Sequence, residues 1–294
     1  METSLELELV GAGGEPVDLW RTIVSHGIAA LPPAWIDEQA RVLEITVPVA
    51  GARPHVVRVA SVNGRAGVTA VGRPLSKSKG ERVLATVGHL LRLDEDLSEF
   101  YGLVAGDPDL AWAASGAGRM LRSPTVFEDI VKTICTTNCA WSATERMVGA
   151  LVEHLGERAV GAPAKGPYGR AFPTPAAMAE AGDDLYRDVV RAGYRGPYLR
   201  TLSASVAEGT VDLETLAAPQ VAVSDDEVEA QLLALPGVGP YAAAHVMMLL
   251  GRYSRLILDS WTRPKYARVN GGRAAKDSTI MRRFRRYGPY AGLA

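Results

Sequence analysis

The sequence predicts an α+β protein: a small N-terminal antiparallel β unit followed by a mostly α-helical body. Three observations carry that expectation. Apolar and polar residues alternate through much of the first seventy residues, an Asn63-Gly64 pair separates two alternating runs, and from about Leu84 the apolar period lengthens to that of a helix. The change of period suggests a division into residues 1–90 and 91–294.

Within the first unit, Ser4–Val10 places Leu5, Leu7 and Leu9 on one face of a strand. Asp18–Ser25 breaks the alternation and reads as a short helix. Arg41–Val49 returns to it with the β-branched residues Val42, Ile45, Val47 and Val49. His55–Val62 and Gly67–Val71 continue it on either side of the Asn-Gly turn, whose two residues tolerate the positive φ of a tight hairpin.

In the second unit, Leu90, Leu91, Leu97, Phe100, Tyr101 and Val104 suit amphipathic helix with a break near Asp94. Ser123-Pro124 reads as a cap and first helical residue, opening a helix to about Thr136. Ser142 with Glu145 reads as a capping box opening a helix to about Leu155. Gly161–Pro175, rich in Gly and Pro, reads as an exposed loop, and Thr174-Pro175 starts the next short helix. Helical segments follow at Asp183–Ala192 (ended by Gly193), Tyr198–Glu208 and Asp212–Leu216. Ser224 heads an acidic first turn, Asp225-Asp226-Glu227, of a helix ending near Leu235. Pro240–Gly251, Trp261–Val269 and Ser278–Tyr287 complete the series.

Composition excludes several classes. The 294 residues hold only two cysteines, Cys135 and Cys139, too few for a disulfide framework, a four-cysteine zinc site or an iron–sulfur cluster. The N-terminus lacks the basic start and apolar run of a signal peptide, so a cytoplasmic protein is expected. The most apolar stretch, Gln231–Gly251, is interrupted by Pro236, Pro240, His245 and glycines, so no membrane partner is expected. The net charge of −1 speaks mildly against a polyanionic partner, but it conceals a segregation. Residues 91–251 carry a net −10, while residues 252–294 carry a net +9 from eleven basic and two acidic side chains. Such a basic block is a footprint for nucleic acid. The competing reading is a basic face neutralised by the acidic middle of the same chain.

The segment from Leu233 to Gly251 joins two helices through the tight turn Pro236-Gly237-Val238-Gly239. Its glycines permit positive φ and close backbone approach, and the amides at the start of the second helix form a ready site for a phosphate oxygen. A turn that merely joins two packed helices has the same sequence. About twenty residues on, Leu256-Ile257-Leu258 delivers Asp259 to the start of another helix, where an N-cap is its plainest role.

The hairpin followed at that distance by an aspartate resembles the helix-hairpin-helix DNA glycosylase superfamily. The turn Leu235–Gly239 matches the hairpin motif and Asp259 the catalytic aspartate. Upstream, Leu121–Asn138 is similar to the segment of 8-oxoguanine DNA glycosylases and 3-methyladenine DNA glycosylase II that leads into the minor-groove loop. Gly193-Tyr-Arg-Gly-Pro-Tyr198 is similar to a Gly-Tyr-Arg…Tyr motif of the same groups. The motifs span roughly residues 90–270, and the N-terminal β unit suits the family layout.

The resemblance implies a monofunctional DNA glycosylase of base excision repair, most readily one acting on alkylated purines. Asp259 would stabilise the positive charge that develops on the deoxyribose. Asn138 would fill the gap left by the flipped nucleotide, and Gly237, Val238 and Gly239 would hold a phosphate. A K+ or Na+ ion on the carbonyls of Leu235 and Val238 would be the only cofactor. Bifunctional members carry a lysine at the position of Tyr241, and tyrosine cannot form the imine; Lys265 would substitute only if the backbone brought it close. Tyr241 and His245, four apart on one helix face, and Trp141 would border the base pocket, although a core histidine and a core tryptophan are the simpler readings. Arg263, Lys265 and Arg268 would track the DNA backbone. Double-stranded DNA with damaged bases is the expected partner of a monomeric enzyme. Family members continue beyond the point where this chain ends, so part of the pocket wall is expected to be missing or supplied elsewhere. The rival readings are a non-catalytic DNA-binding protein with Asp259 as a helix cap, and a bifunctional glycosylase/lyase acting on oxidised bases.

Overall fold

The computed structural model describes residues 2–72, 74–217 and 222–294. Five strands form one antiparallel sheet: β1 (Glu2–Leu7), β2 (Ala34–Asp37), β3 (Val42–Val49), β4 (Ala52–Val62) and β5 (Arg65–Val71), in the order β1-β5-β4-β3-β2. The alternation sets the register. Leu43, Ile45 and Val47 pair with Val59, Val57 and His55, and the apolar side chains of both strands enter one core. The register shifts between Val47 and Val49, where Pro48 has no amide to give the ladder. Asn63 and Gly64 take φ of +51° and +79° at the β4–β5 turn, as the dipeptide predicts.

Helix α1 (Leu19–Ile23), capped by Asp18, and helix α2 (Lys77–Leu90), capped by Ser76, cover the sheet through Leu19, Ile23, Val83, Val87 and Leu90. Helix α2 begins seven residues before the predicted onset at Leu84, since residues 77–82 hold no apolar residue other than glycine and so carry no apolar period. Strand β2 was not predicted. It has four residues, too few to show alternation.

The helical body comprises α3 (Ser98–Val104), α4 (Val126–Thr136), α5 (Trp141–Leu155), α6 (Pro175–Glu180), α7 (Arg195–Ala207), α8 (Asp225–Leu233), α9 (Pro240–Leu249), α10 (Thr262–Val269) and α11 (Asp277–Phe284). Two caps differ from expectation. Helix α4 is capped by the Thr125 hydroxyl, which accepts from the Glu128 amide, rather than by Ser123. The Ser142–Glu145 box does not form, because α5 already starts at Trp141 and the Glu145 carboxylate instead accepts from the Trp141 indole N–H. The Ser224–Glu227 box forms as predicted, and so does the Thr174 cap of α6. The segment Asp183–Ala192 winds as a π-helical turn over Leu185–Val189.

Helix α9 is buried on nearly every side and is the axis of the body. That placement explains its apolar sequence, and among the described residues no helix is long and apolar enough to cross a membrane. Its core partners come from α4, α5, α7 and α8, joined by Ile28 and Leu31 from the connection between α1 and β2. The β unit therefore inserts a loop into the helical core. A buried ion pair between Glu15 and Arg119 ties the two together, and Glu95 links Arg119 to Arg92 beside it.

Candidate active site

One cavity of about 1,280 Å³ opens where the α1–β2 connection, the start of α5, helix α9 and the stretch from Leu256 to Val269 meet. Asp259, Tyr241, His245, Trp141 and Lys265, all singled out from the sequence, line it together.

The Asp259 carboxylate is held by the chain that follows it. Its Oδ1 accepts from the amides of Trp261 (3.0 Å) and Thr262 (2.7 Å), so Asp259 caps α10 from three residues before its first regular turn. Partial burial works to raise its pKa. The Thr262 amide and hydroxyl and the Trp261 amide outweigh burial, so Asp259 lies below the ordinary carboxylate value. A capping carboxylate and an ionised group facing a cavity are thus the same residue.

Helix α9 presents Tyr241 and His245 to the cavity one turn apart, with ring centroids 4.5 Å apart. Burial lowers the His245 pKa, against the weaker pull of the Tyr241 carbonyl and the Asp259 charge, and its Nδ1 is buried without a well-formed hydrogen bond. Burial, reinforced by Asp259, raises Tyr241 and keeps the phenol protonated. Trp141 stands across from them, 43% exposed, with its indole edge over Gly27: a Cβ on that glycine would lie 3.2 Å from the ring. Trp261, 67% exposed, flanks Asp259, and the Lys265 ammonium sits 4.3 Å from its ring centroid.

Asn138 does not line this cavity. It occupies the α4–α5 turn at φ +46° and donates from Nδ2 to the Tyr194 hydroxyl at 3.2 Å. Arg195 braces the same turn through the Thr137 carbonyl and hydroxyl. Tyr194, 53% exposed, therefore forms one projecting unit with Asn138. It lies in the Gly-Tyr-Arg motif but was not singled out from the sequence, and its exposure is the signal that finds it.

At the hairpin, Gly237 has φ +78°, and a Cβ there would lie 3.0 Å from the Tyr198 Cβ. Gly239 precedes Pro240 at the first position of α9. The Val238 amide turns inward to the Leu235 carbonyl at 3.2 Å. Among the described residues the amides of Gly237, Gly239 and Tyr241 have no partner, so they rather than Val238 face outward as donors.

The C-terminal basic block divides. Arg252, Arg255, Arg283 and Arg286 pair with Asp225, Asp226 and Glu229, Asp109 and Asp107 of the preceding chain. Arg263 pairs with both carboxylate oxygens of Asp277. Among the described residues, Arg268, Arg273, Lys276, Arg282 and Arg285 are exposed and form no ion pair. Cys135 is buried and Cys139 reaches the cavity wall, and no three His, Cys, Asp or Glu among the described residues gather as metal ligands.

The sequence misses His26. It sits in the α1–β2 connection, 95 residues before Leu121, where the first of the motifs begins, yet it faces the same cavity as Asp259.

No protein-family model and no curated protein matches the sequence. Solved structures do. The apo-form of an 8-oxoguanine glycosylase/lyase from Clostridium acetobutylicum is similar over 100% of this chain and 95% of its own, with 19% identity and a TM-score of 0.72. A 3-methyladenine DNA-glycosylase from Archaeoglobus fulgidus is similar over 99% and 94%, with 21% identity and a TM-score of 0.72. The Clostridium enzyme in complex with double-stranded DNA containing cytosine opposite 8-oxoG is similar over 94% and 88%, with 20% identity and a TM-score of 0.69. From the antiparallel sheet through the hairpin to α11, the chain has the fold of the helix-hairpin-helix DNA glycosylases.

Proposed function

We propose that this protein is a monofunctional DNA glycosylase of base excision repair that hydrolyses the N-glycosidic bond of a flipped, alkylated purine. The observation that carries the proposal is Asp259: an ionised carboxylate, fixed by two backbone amides, on the wall of an aromatic-lined cavity and at the expected distance after the hairpin. As the bond to the base breaks, positive charge grows on the sugar. A preorganised carboxylate stabilises that charge and orients the water that attacks C1′. The projecting pair Asn138 and Tyr194 would occupy the gap in the stack. The outward amides of Gly237, Gly239 and Tyr241 would hold a phosphate. The carbonyls of Leu235 and Val238 are the groups that would take a K+ or Na+ ion there, since Leu235 keeps one lone pair beyond the Val238 amide.

The weak acidity of three side chains on the cavity wall supports the substrate class. His26 and His245 are neutral and the Tyr241 phenol is a weak acid, so none of these is a strong proton donor to a departing base at neutral pH. A base that already carries positive charge from alkylation needs no such donor, and its electron-poor ring stacks well on Trp141 or Trp261.

Asp259→Asn should lower single-turnover base release from lesion-containing duplex about a hundredfold or more while leaving duplex affinity largely intact. Unchanged turnover would sink the assignment. Lys265 shares the cavity with Asp259, so a lyase reading has one specific observation behind it. Tyr241 cannot form an imine, and the Lys265 ammonium is engaged over Trp261. Borohydride trapping in the same assay should yield no covalent DNA adduct, and an adduct lost in Lys265→Ala would establish the lyase instead.

A further inference from the structure

The geometry points to His26 as a specificity-determining residue that reads a hydrogen-bond donor on the extruded base, so that the cavity favours alkylated bases with an amino group over donor-free ones. This rests on the glycosylase reading above and narrows its substrate.

Two hydrogen bonds fasten the Ser25-His26 turn to the stretch before α4. The Leu121 amide donates to the Ser25 hydroxyl at 2.9 Å, and His26 Nε2 meets the Leu121 carbonyl at 2.6 Å. A carbonyl oxygen can only accept, so Nε2 carries the proton and Nδ1 keeps a lone pair. Among the described residues Nδ1 has no partner, and the residue lines the cavity that contains Asp259. The Leu121 bond holds the ring, and the next residue, Gly27, lies under the edge of Trp141. A fixed acceptor therefore stands beside an aromatic surface on which a base can stack.

The charge state agrees with that role. Burial, aided by the nearby His245, Arg92 and Lys132 and only partly offset by the Leu121 carbonyl, brings the His26 pKa down to about 4. The imidazole is thus neutral across the physiological range, and its Nδ1 acts as an acceptor that does not repel a cationic base. A fixed acceptor favours a base that can satisfy it over one of similar shape that cannot. N3-methyladenine offers an exocyclic amino group. In 1,N6-ethenoadenine that nitrogen is part of the added ring and carries no hydrogen.

Two substitutions separate reading from anchoring. His26→Gln places an amide near the position of Nε2, keeping the bond to Leu121 and deleting the Nδ1 lone pair. His26→Asn places its amide oxygen near Nδ1 and gives up the Leu121 bond. Single-turnover release of the two bases from duplex is measured for both variants and wild type. The expected result is a wild-type preference for N3-methyladenine that falls about tenfold in His26→Gln, the worth of one such hydrogen bond, and is largely kept in His26→Asn. A merely structural histidine would lower both rates together. A preference unchanged in His26→Gln, or a wild type that releases only the donor-free base, overturns this proposal alone. Absence of any base release by folded wild-type protein overturns the glycosylase reading beneath it.

Discussion

Burial sets the charge of the histidines, and two of them make that visible in stability. His26 and His89 both have their pKa lowered to about 4, burial being the leading cause, with Arg122 next for His89. In the unfolded chain each takes a proton near 6.5; in the native protein each does so only near 4. The folded state therefore binds fewer protons in that window. The stability linked to each group is complete above pH 6.5 and is lost as the pH falls toward 4. Buried Asp129, raised to about 6 chiefly by burial, runs the other way, with its contribution present at low pH and lost as the pH rises through 6. Comparison with a variant at one site cancels that term. His89 contacts the Ser123 carbonyl at 3.2 Å and lies outside the cavity, so His89→Gln can keep that contact while removing the titration. Thermal unfolding between pH 7 and 4.5 should show a shallower decline in the variant, and parallel curves would contradict the assignment. Asp259 was legible in the sequence because hairpin and aspartate are neighbours along the chain. His26 was not, because only tertiary packing brings the α1–β2 connection to that cavity, and an isolated histidine beside a glycine carries no local signal.

At the scale of elements, local chemistry was readable where a residue acts on its own neighbourhood. Thr174 and Ser224 cap the helices they were expected to open, and Asn63-Gly64 turns the hairpin it predicts. Ser123 and Ser142 have the right residue type but lose to Thr125 and to the Trp141 indole, which the wider packing places better. The helix-hairpin-helix turn shows the same distinction within four residues. Gly237 needs a conformation that a side chain resists, and Tyr198 fills the space where its Cβ would go. Gly239 has φ −102° and open space beside it. Gly237→Ala should therefore cost about 1–2 kcal/mol of stability from backbone strain alone and weaken duplex binding by displacing the turn. Gly239→Ala should change stability by only a few tenths of a kcal/mol, within the range of an unstrained surface change. Chemical denaturation of the two variants tests the contrast, and equal losses would mean that the turn is not held by the Gly237 conformation.

For the molecule as a whole, the question is where the segregated charge goes. The basic block divides: part of it is neutralised by the acidic middle of the chain, as one sequence reading expects, and part is left exposed for the other to draw on. Arg252, Arg255, Arg283 and Arg286 are spent on acidic partners in the preceding chain. Arg268, Arg273, Lys276, Arg282 and Arg285 lie exposed with no ion pair among the described residues. Only a cation not already neutralised releases a condensed counterion fully when it meets a phosphate, and each such contact contributes about 0.9 to the slope of log affinity against log salt on duplex DNA. This yields a prediction that separates the two sets by function rather than by count. Duplex affinity, measured from low to moderate salt, should show a slope shallower by about 0.9 for each of Arg268→Gln, Arg273→Gln and Arg282→Gln that removes a phosphate contact. Arg286→Gln should leave the slope near that of wild type, because Asp107 already holds that guanidinium at 2.8 Å and the substitution frees a carboxylate instead of deleting a contact. Equal slope changes from Arg286→Gln and Arg273→Gln would show that the pairs open on binding. The whole block would then act as one polyanion surface, with Asp107 and Asp109 as its competitors in the free protein.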